Sequence, residues 1–285
     1  MEIEVKGHSG CSIDIVNDGG QLLICKSTHD PQYVNRLERQ AIKQKKASEI
    51  LHQHIRIPQI FDIEKHENFL NIKMEYVYSK NFVDFFEDAG FEQIDYFIKA
   101  IKLFIDDEIR HSDICAISKS VVTEKFDDVC DKIQCNSLIN KDKEVATILV
   151  KSSQIFSNLP NVLMMPIGCC HGDLTYSNIL FNGNNYYLID FLDSFIESPL
   201  LDIVKLRQDS CFSWSELMYT HEFDVIRLQI ISNKIDNELS HYYNQYDWFG
   251  NYYREFQVMN LLRVLQYAKE ERIVTFLKNA VNTLL

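Results

Sequence analysis

Short apolar runs broken by polar residues fill the first part of the chain. "EIEV", "CSIDIV" and "QLLICK" each carry a β-type pattern, and "DGG" at 18–20 supplies the tight turn of a hairpin. After Pro31 the spacing changes: from Gln32 to His54 few breakers occur, and the pattern predicts a helix that stops before Pro58. "IPQIFDIEKHENFLNIKMEYVY" then predicts two strands around a polar turn. The expected order within residues 1–80 is three strands, a helix and two strands. Beyond residue 81 apolar positions recur at intervals of three and four, as in "FEQIDYFIKAIKLFIDDEI". Segments 119–134, 142–157, 221–243 and 254–284 read as helices in the same way. One small β-hairpin interrupts this helical half, "NILF" and "YYLID" joined by "NGNN".

Composition narrows the class. The 285 residues suffice for one large domain or two smaller lobes with a sizeable core, and 46% hydrophobic with 25% charged residues is the balance of a soluble, ordered chain. A formal net charge of −12 argues against a binder of nucleic-acid backbone. The one basic cluster, Arg36, Arg39, Lys43, Lys45 and Lys46, alternates with apolar residues on the expected helix and reads as a solvated face. No run approaches the roughly 18 apolar residues of a membrane span, and the first residues lack a basic region followed by an apolar core, so the expectation is a cytoplasmic protein. Eight scattered cysteines form no C-x-x-C unit and read as reduced, mostly buried thiols.

The informative stretch is "CCHGDLTYSNILFNGNNYYLIDFLDS", residues 169–194. It sets His171, Asp173, Asn178 and Asp190 along one loop and hairpin. Glycines and paired asparagines are ordinary turn chemistry, but the acid, amide and acid are the groups that phosphoryl transfer requires. Asp173 can accept the proton of a hydroxyl, while Asn178 and Asp190 supply oxygen ligands to a hard cation such as Mg2+. The hairpin returns Asp190 beside Asn178.

"HGDLTYSN" followed by "LIDF" resembles the catalytic loop and metal-binding segment of the aminoglycoside phosphotransferase and choline kinase group, within the protein-kinase-like fold. The protein-kinase pattern H-R-D-L-x-x-x-N with D-F-G is the close parallel. Gly172 stands where protein kinases carry Arg, and Phe191-Leu192 replaces Phe-Gly, departures that favour a small-molecule kinase.

The resemblance implies an α+β, two-lobed architecture: a β-rich nucleotide-binding lobe over residues 1–78 and a helical lobe with the catalytic loop over 79–285. It implies a glycine-containing phosphate turn, which "KGHSGCS" supplies through Gly7, Ser9, Gly10 and Ser12, and a following strand lysine, Lys26. An acidic partner for Lys26 is expected on the next helix, with Glu38 preferred over Glu49 and Gln40 as a possible replacement for the acid. Met74, Glu75, Tyr76 and Val77 are the hinge candidates, foremost Glu75 and Val77, that would receive the base of ATP or GTP through backbone groups. By the same resemblance Asp202 would support the catalytic loop, Asp193 would be a second metal neighbour or a turn residue, and His171 would orient the loop rather than transfer a proton.

The function implied is transfer of the γ-phosphoryl group of Mg-ATP or Mg-GTP to a hydroxyl of a small acceptor. A sugar or surface-glycan precursor is favoured over an aminoglycoside or choline-like alcohol, partly because "SPLLDIVKLRQD" looks similar to phosphotransferase-like proteins of bacterial surface-polysaccharide synthesis. The aromatic residues Trp214, Tyr246, Trp248 and Tyr253 are acceptor candidates, although aromatic residues at helical spacing more often belong to the core. Two other readings stand beside this one: a non-catalytic kinase-like nucleotide-binding module, and a protein kinase. Oligomeric state is not legible.

Overall fold

The structure is a computed structural model that describes residues 11–183 and 185–285. In chain order these form β1 (Ser12–Asp18), β2 (Gln21–Thr28), α1 (Pro31–Ser48), β3 (Ile55–Arg56), β4 (Ile60–His66), β5 (Phe69–Glu75), α2 (Phe82–Asp88) and α3 (Phe91–Arg110). There follow β6 (Asp113–Ser118), α4 (Lys119–Cys135), α5 (Lys143–Ser157), β7 (Val162–Ile167), β8 (Ile179–Asn182) and β9 (Asn185–Leu188). The chain continues with α6 (Pro199–Ser210), α7 (Trp214–Met218), α8 (Val225–Tyr243), α9 (Asp247–Leu265) and α10 (Glu271–Asn282). Among the described residues no helix is long and apolar enough to cross a membrane.

Two compact units result, each assembled from discontinuous stretches of the chain. One contains residues up to Asp107 together with His171–Ser194 and Thr220–Ile231; the other contains Glu108–Cys170, Phe195–Tyr219 and Ser232–Leu285. Strand pairing and aromatic packing draw the hairpin into the first unit. β3 runs parallel to β9, pairing Ile55 with Tyr186 and Arg56 with Tyr187, and Phe85 stacks on Phe181 with ring centroids 4.3 Å apart.

The first unit is built on an antiparallel sheet of order β1-β2-β5-β4. Gly19 and Gly20, at φ 60° and 95°, make the β1–β2 turn, where the Asn17 side chain accepts from the Gly20 N–H at 2.9 Å. Asp30 caps α1 by accepting from Gln32 N at 2.9 Å, and Pro31 opens the helix where a missing N–H costs nothing. Val34, Leu37 and Ala41 seat the helix on Ile60, Leu70 and Ile72. The helix ends at Ser48 rather than His54. His54 must take the left-handed conformation, φ 67°, as the chain turns to deliver β3 to β9, and that pairing overrides local helical preference.

In the second unit the strands β6 and β7 pair antiparallel, Asp113 opposite Ile167 through Ser118 opposite Val162. The periodicity did not reveal them, because each is short and its partner lies beyond two intervening helices. The expected helix over 254–284 is two helices, α9 beginning at Asp247 and α10 beginning at Glu271. α6 starts at Pro199 behind a Ser198 cap and is buried along almost its whole length.

Candidate active site

The loop leading into β8 is held by its own polar groups. Gly172 takes φ 88°, and a Cβ there would come 2.0 Å from the Leu192 carbonyl oxygen, so only glycine fits this turn. His171 is fully buried: Nδ1 accepts from Asp173 N at 3.2 Å and Nε2 lies 2.8 Å from the Ile189 carbonyl, so the neutral Nε2–H tautomer satisfies both. Phe191 packs on its ring with centroids 4.2 Å apart. With both nitrogens engaged, His171 is a positioning group for the Asp173 backbone. The Asn178 side-chain nitrogen donates to the Asp173 carbonyl at 2.8 Å and to Asp173 Oδ2 at 3.0 Å, which orients the carboxylate.

Asn178 and Asp190 flank the base of the hairpin. Ile189 N donates to Asn178 O at 3.1 Å, one register step beyond the Ile179–Leu188 pair. Asp190 stands in the left-handed region at φ 61°, a conformation Asp tolerates better than most residues and one that re-aims the carboxylate away from the strand. Lys26 Nζ donates to Asp190 Oδ1 at 2.7 Å; the lysine side chain is 7% exposed and the aspartate 46%. Burial works to lower the Lys26 pKa, but the charge and hydrogen bond of Asp190 outweigh it, and the net shift is upward.

The donor chemistry suits a magnesium nucleotide. Asn178 spends its nitrogen on Asp173, which turns its oxygen lone pairs to other use, and Asp190 adds carboxylate oxygens. Among the described residues no group of three or more His, Cys, Asp or Glu side chains could hold a metal by itself. The pair of Asn178 and Asp190 would fit a nucleotide-bound Mg2+, which in general takes only one or two protein oxygens, with phosphates and waters completing its shell.

α1 departs from expectation. Glu38 does not reach Lys26: its carboxylate bonds Lys65 Nζ at 2.6 Å, because position 38 faces β4. Glu49 is exposed at the helix end and Gln40 is buried. Nor is the basic cluster only a solvated face. Arg39 Nε lies 3.3 Å from Asp193 Oδ2, and Lys43 Nζ donates to the Leu192 carbonyl at 2.6 Å. Sequence reasoning missed these contacts, since nothing in a helical pattern tells which solvent-side stripe meets a loop 149 residues away.

The remaining candidates fall in several places. Gly7, Ser9 and Gly10 lie outside the described residues. Ser12 opens β1, with its hydroxyl 2.7 Å from that of Ser27. Glu75 closes β5 with its carboxylate accepting from Gln59 N at 3.1 Å, so its side chain is spent on the sheet. Val77 follows, and its N–H has no partner among the described residues. Asp202 is completely buried in the first turn of α6.

The aromatic candidates all belong to the second unit. Trp214 is half-buried, its ring centroid 6.0 Å from that of Phe276. Tyr246 stacks on Trp248 at 5.1 Å, and Trp248 is buried. Tyr253 lies under the Arg207 guanidinium, 4.3 Å from ring centroid to Cζ, and bonds Gln257 through its hydroxyl at 3.2 Å. Protein groups therefore cover Trp248 and Tyr253, which follows from their place on the inner side of α9. All eight cysteines are free, but only Cys11 and Cys170 are buried; Cys135, Cys169 and Cys211 are exposed.

A family model described as phosphotransferase enzyme family, APH, matches residues 139–224, the part of the chain that contains the loop and the hairpin. The chain resembles the aminoglycoside phosphotransferase and choline kinase group. Its architecture is the mixed α+β, protein-kinase-like one, with a small β-sheet region and a larger helical part. Solved structures agree at the level of the fold. The GDP and kanamycin complex of APH(2")-IIia superposes with a TM-score of 0.68 at 14% identity, covering 100% of this chain and 91% of that one. Glucosamine kinase with glucosamine, ADP and inorganic phosphate gives 0.58 at 12% identity over 100% and 76% of the two chains. Spectinomycin phosphotransferase, APH(9)-Ia, with ADP and spectinomycin gives 0.54 at 13% over 100% and 92%. The matched family and these structures are, by their descriptions, phosphotransferases and kinases. No curated protein matches the chain in sequence.

Proposed function

We propose that the protein is a small-molecule kinase that moves the γ-phosphoryl group of a magnesium nucleotide, ATP or GTP, to a hydroxyl of a small acceptor. The observation that carries this reading is the joined constellation: Asp173, Asn178 and Asp190 on one loop and hairpin, with Asn178 on Asp173 at 3.0 Å and Lys26 of β2 on Asp190 at 2.7 Å. A generic polar turn has no use for a buried strand lysine reaching a carboxylate 164 residues away.

In this reading Asp173, oriented by Asn178 and by the His171 contact to its backbone, accepts the proton of the attacking hydroxyl. Asn178 and Asp190 would hold Mg2+, whose charge offsets that of the phosphate oxygens. Lys26, kept cationic by Asp190, is available to phosphate oxygens, and the Val77 N–H to an edge of the base. Asp202, buried within the first turn of α6, acts as structural support. The acceptor is a polyhydroxylated compound, a sugar or surface-glycan precursor, recognised by stacking and hydrogen bonds. Of the aromatic candidates, Trp214 and Tyr246 are half-buried, whereas Trp248 is buried and the Arg207 guanidinium covers Tyr253, so the first two are the proposed stacking residues.

The test is transfer of label from γ-labelled ATP and GTP to glucosamine, kanamycin, choline and a panel of free sugars, by wild type and by Asp173→Asn. Wild type should label a small hydroxyl compound. The variant should lose about 10²–10⁴-fold in rate while still binding nucleotide, the usual contribution of a positioned base. Nucleotide binding without transfer to anything would favour a kinase-like binding module, and stoichiometric label on a protein would favour a protein kinase.

A further inference from the structure

α1 turns cations, not an acid, toward the loop. Arg36, Arg39 and Lys43 are spaced three and four residues apart and share one stripe of the helix. Lys43 Nζ donates to the Leu192 carbonyl at 2.6 Å, and Arg39 reaches Asp193. That same carbonyl is the atom against which Gly172 is packed: a Cβ at 172 would lie 2.0 Å from it and 3.4 Å from Lys43 Nζ. The Leu192 N–H donates to the His171 carbonyl at 3.0 Å. One ammonium therefore stands where the helix, the turn before Asp173 and the segment after Asp190 meet.

We propose that Lys43 is a positioning residue for phosphoryl transfer. By holding the Leu192 carbonyl it fixes both the segment that carries Asp190 and the turn that carries Asp173. The helix is thereby coupled to the metal-binding carboxylate through a cation-to-carbonyl bond, while Lys26 pairs with Asp190 itself. A charge-assisted bond of this length is stronger than a neutral one, and its loss leaves the carbonyl without that donor. The inference rests on the phosphotransferase reading above.

Lys43→Met and Lys43→Arg test it by two readouts. One is the Mg2+ concentration giving half of the rise in melting temperature produced by ATP or GTP. The other is amide hydrogen exchange over residues 171–173 and 189–193 without ligand. Lys43→Met should need about five- to tenfold more Mg2+ and exchange faster in both segments, and Lys43→Arg, which retains a charged donor, should recover most of each. Unchanged Mg2+ dependence and exchange in Lys43→Met would overturn the inference. So would a lowered melting temperature with wild-type Mg2+ dependence, since that is a structural role only. If Lys43→Met does not fold, a Lys43→Arg protein with fivefold weaker Mg2+ response overturns the donor argument. A wild type that gains no stability from either nucleotide with Mg2+ would instead remove the phosphotransferase reading itself, an outcome distinct from a responsive wild type with an indifferent Lys43.

Discussion

Single residues in the loop are held so tightly that small changes should have large effects. Gly172→Ala introduces a Cβ at 2.0 Å from a carbonyl oxygen in a backbone of φ 88°, and relief requires moving Leu192 or the loop. Strain of this kind costs about 1–3 kcal/mol, and urea unfolding should register at least that loss. Lys26 gives a pH prediction with a definite sign. Its folded-state pKa lies above the ordinary value of 10.5, so the stabilisation from Lys26–Asp190 is whole below that value and fades only as pH rises through the folded-state pKa. The stability difference between wild type and Lys26→Met should stay level from about pH 7 to about pH 10 and shrink above it. The reverse slope would mean that the pair is not formed as described. At this scale the motif letters carried much: His171, Asp173, Asn178 and Asp190 could be marked from their order alone. What they could not carry is the partner of each group. Glu38 looked like the acid for Lys26 because it lies early on the right helix, yet 100° of rotation per residue sends it to Lys65 instead.

Elements owe their form to tertiary partners as much as to pattern. The hairpin turns and the two strands β4 and β5 around their polar turn are local, and were legible for that reason. β3, β6 and β7 were not, since a two-residue strand and two short distant strands exist only through their pairing. The same holds for the contact that joins α6 to α8 and α9. Arg207 bonds Asp236 through two nitrogens at 2.8 and 2.9 Å, Ser210 adds a third bond to that carboxylate, and Tyr253 covers the guanidinium. Removing one member of such a largely buried pair strands the other. Arg207→Met should cost roughly 3–5 kcal/mol in chemical unfolding, and adding Asp236→Leu should return much of it. A loss no larger than about 1 kcal/mol would place the pair in a surface-like environment.

For the whole molecule, the sequence conveyed a β-rich beginning and a helical remainder, but not how the chain sorts into units. The loop and hairpin at 171–194 join the N-terminal elements because β9 pairs with β3 and Phe181 stacks on Phe85, contacts that periodicity does not encode. That sorting matters for function: Lys26, Asp173, Asn178 and Asp190 all belong to one compact unit, so nucleotide and metal should stabilise it together. A ligand that binds only the folded form adds stability with the logarithm of its concentration over its Kd, about 2.7 kcal/mol at one hundred times Kd. The central measurement is the melting temperature of wild type and Asp190→Asn with ATP or GTP, each with and without Mg2+. A rise in the wild type that depends on Mg2+ and shrinks in Asp190→Asn is the result expected. No rise with any nucleotide in folded wild type, or an equal rise in the variant, would contradict the assignment of this constellation to a magnesium nucleotide.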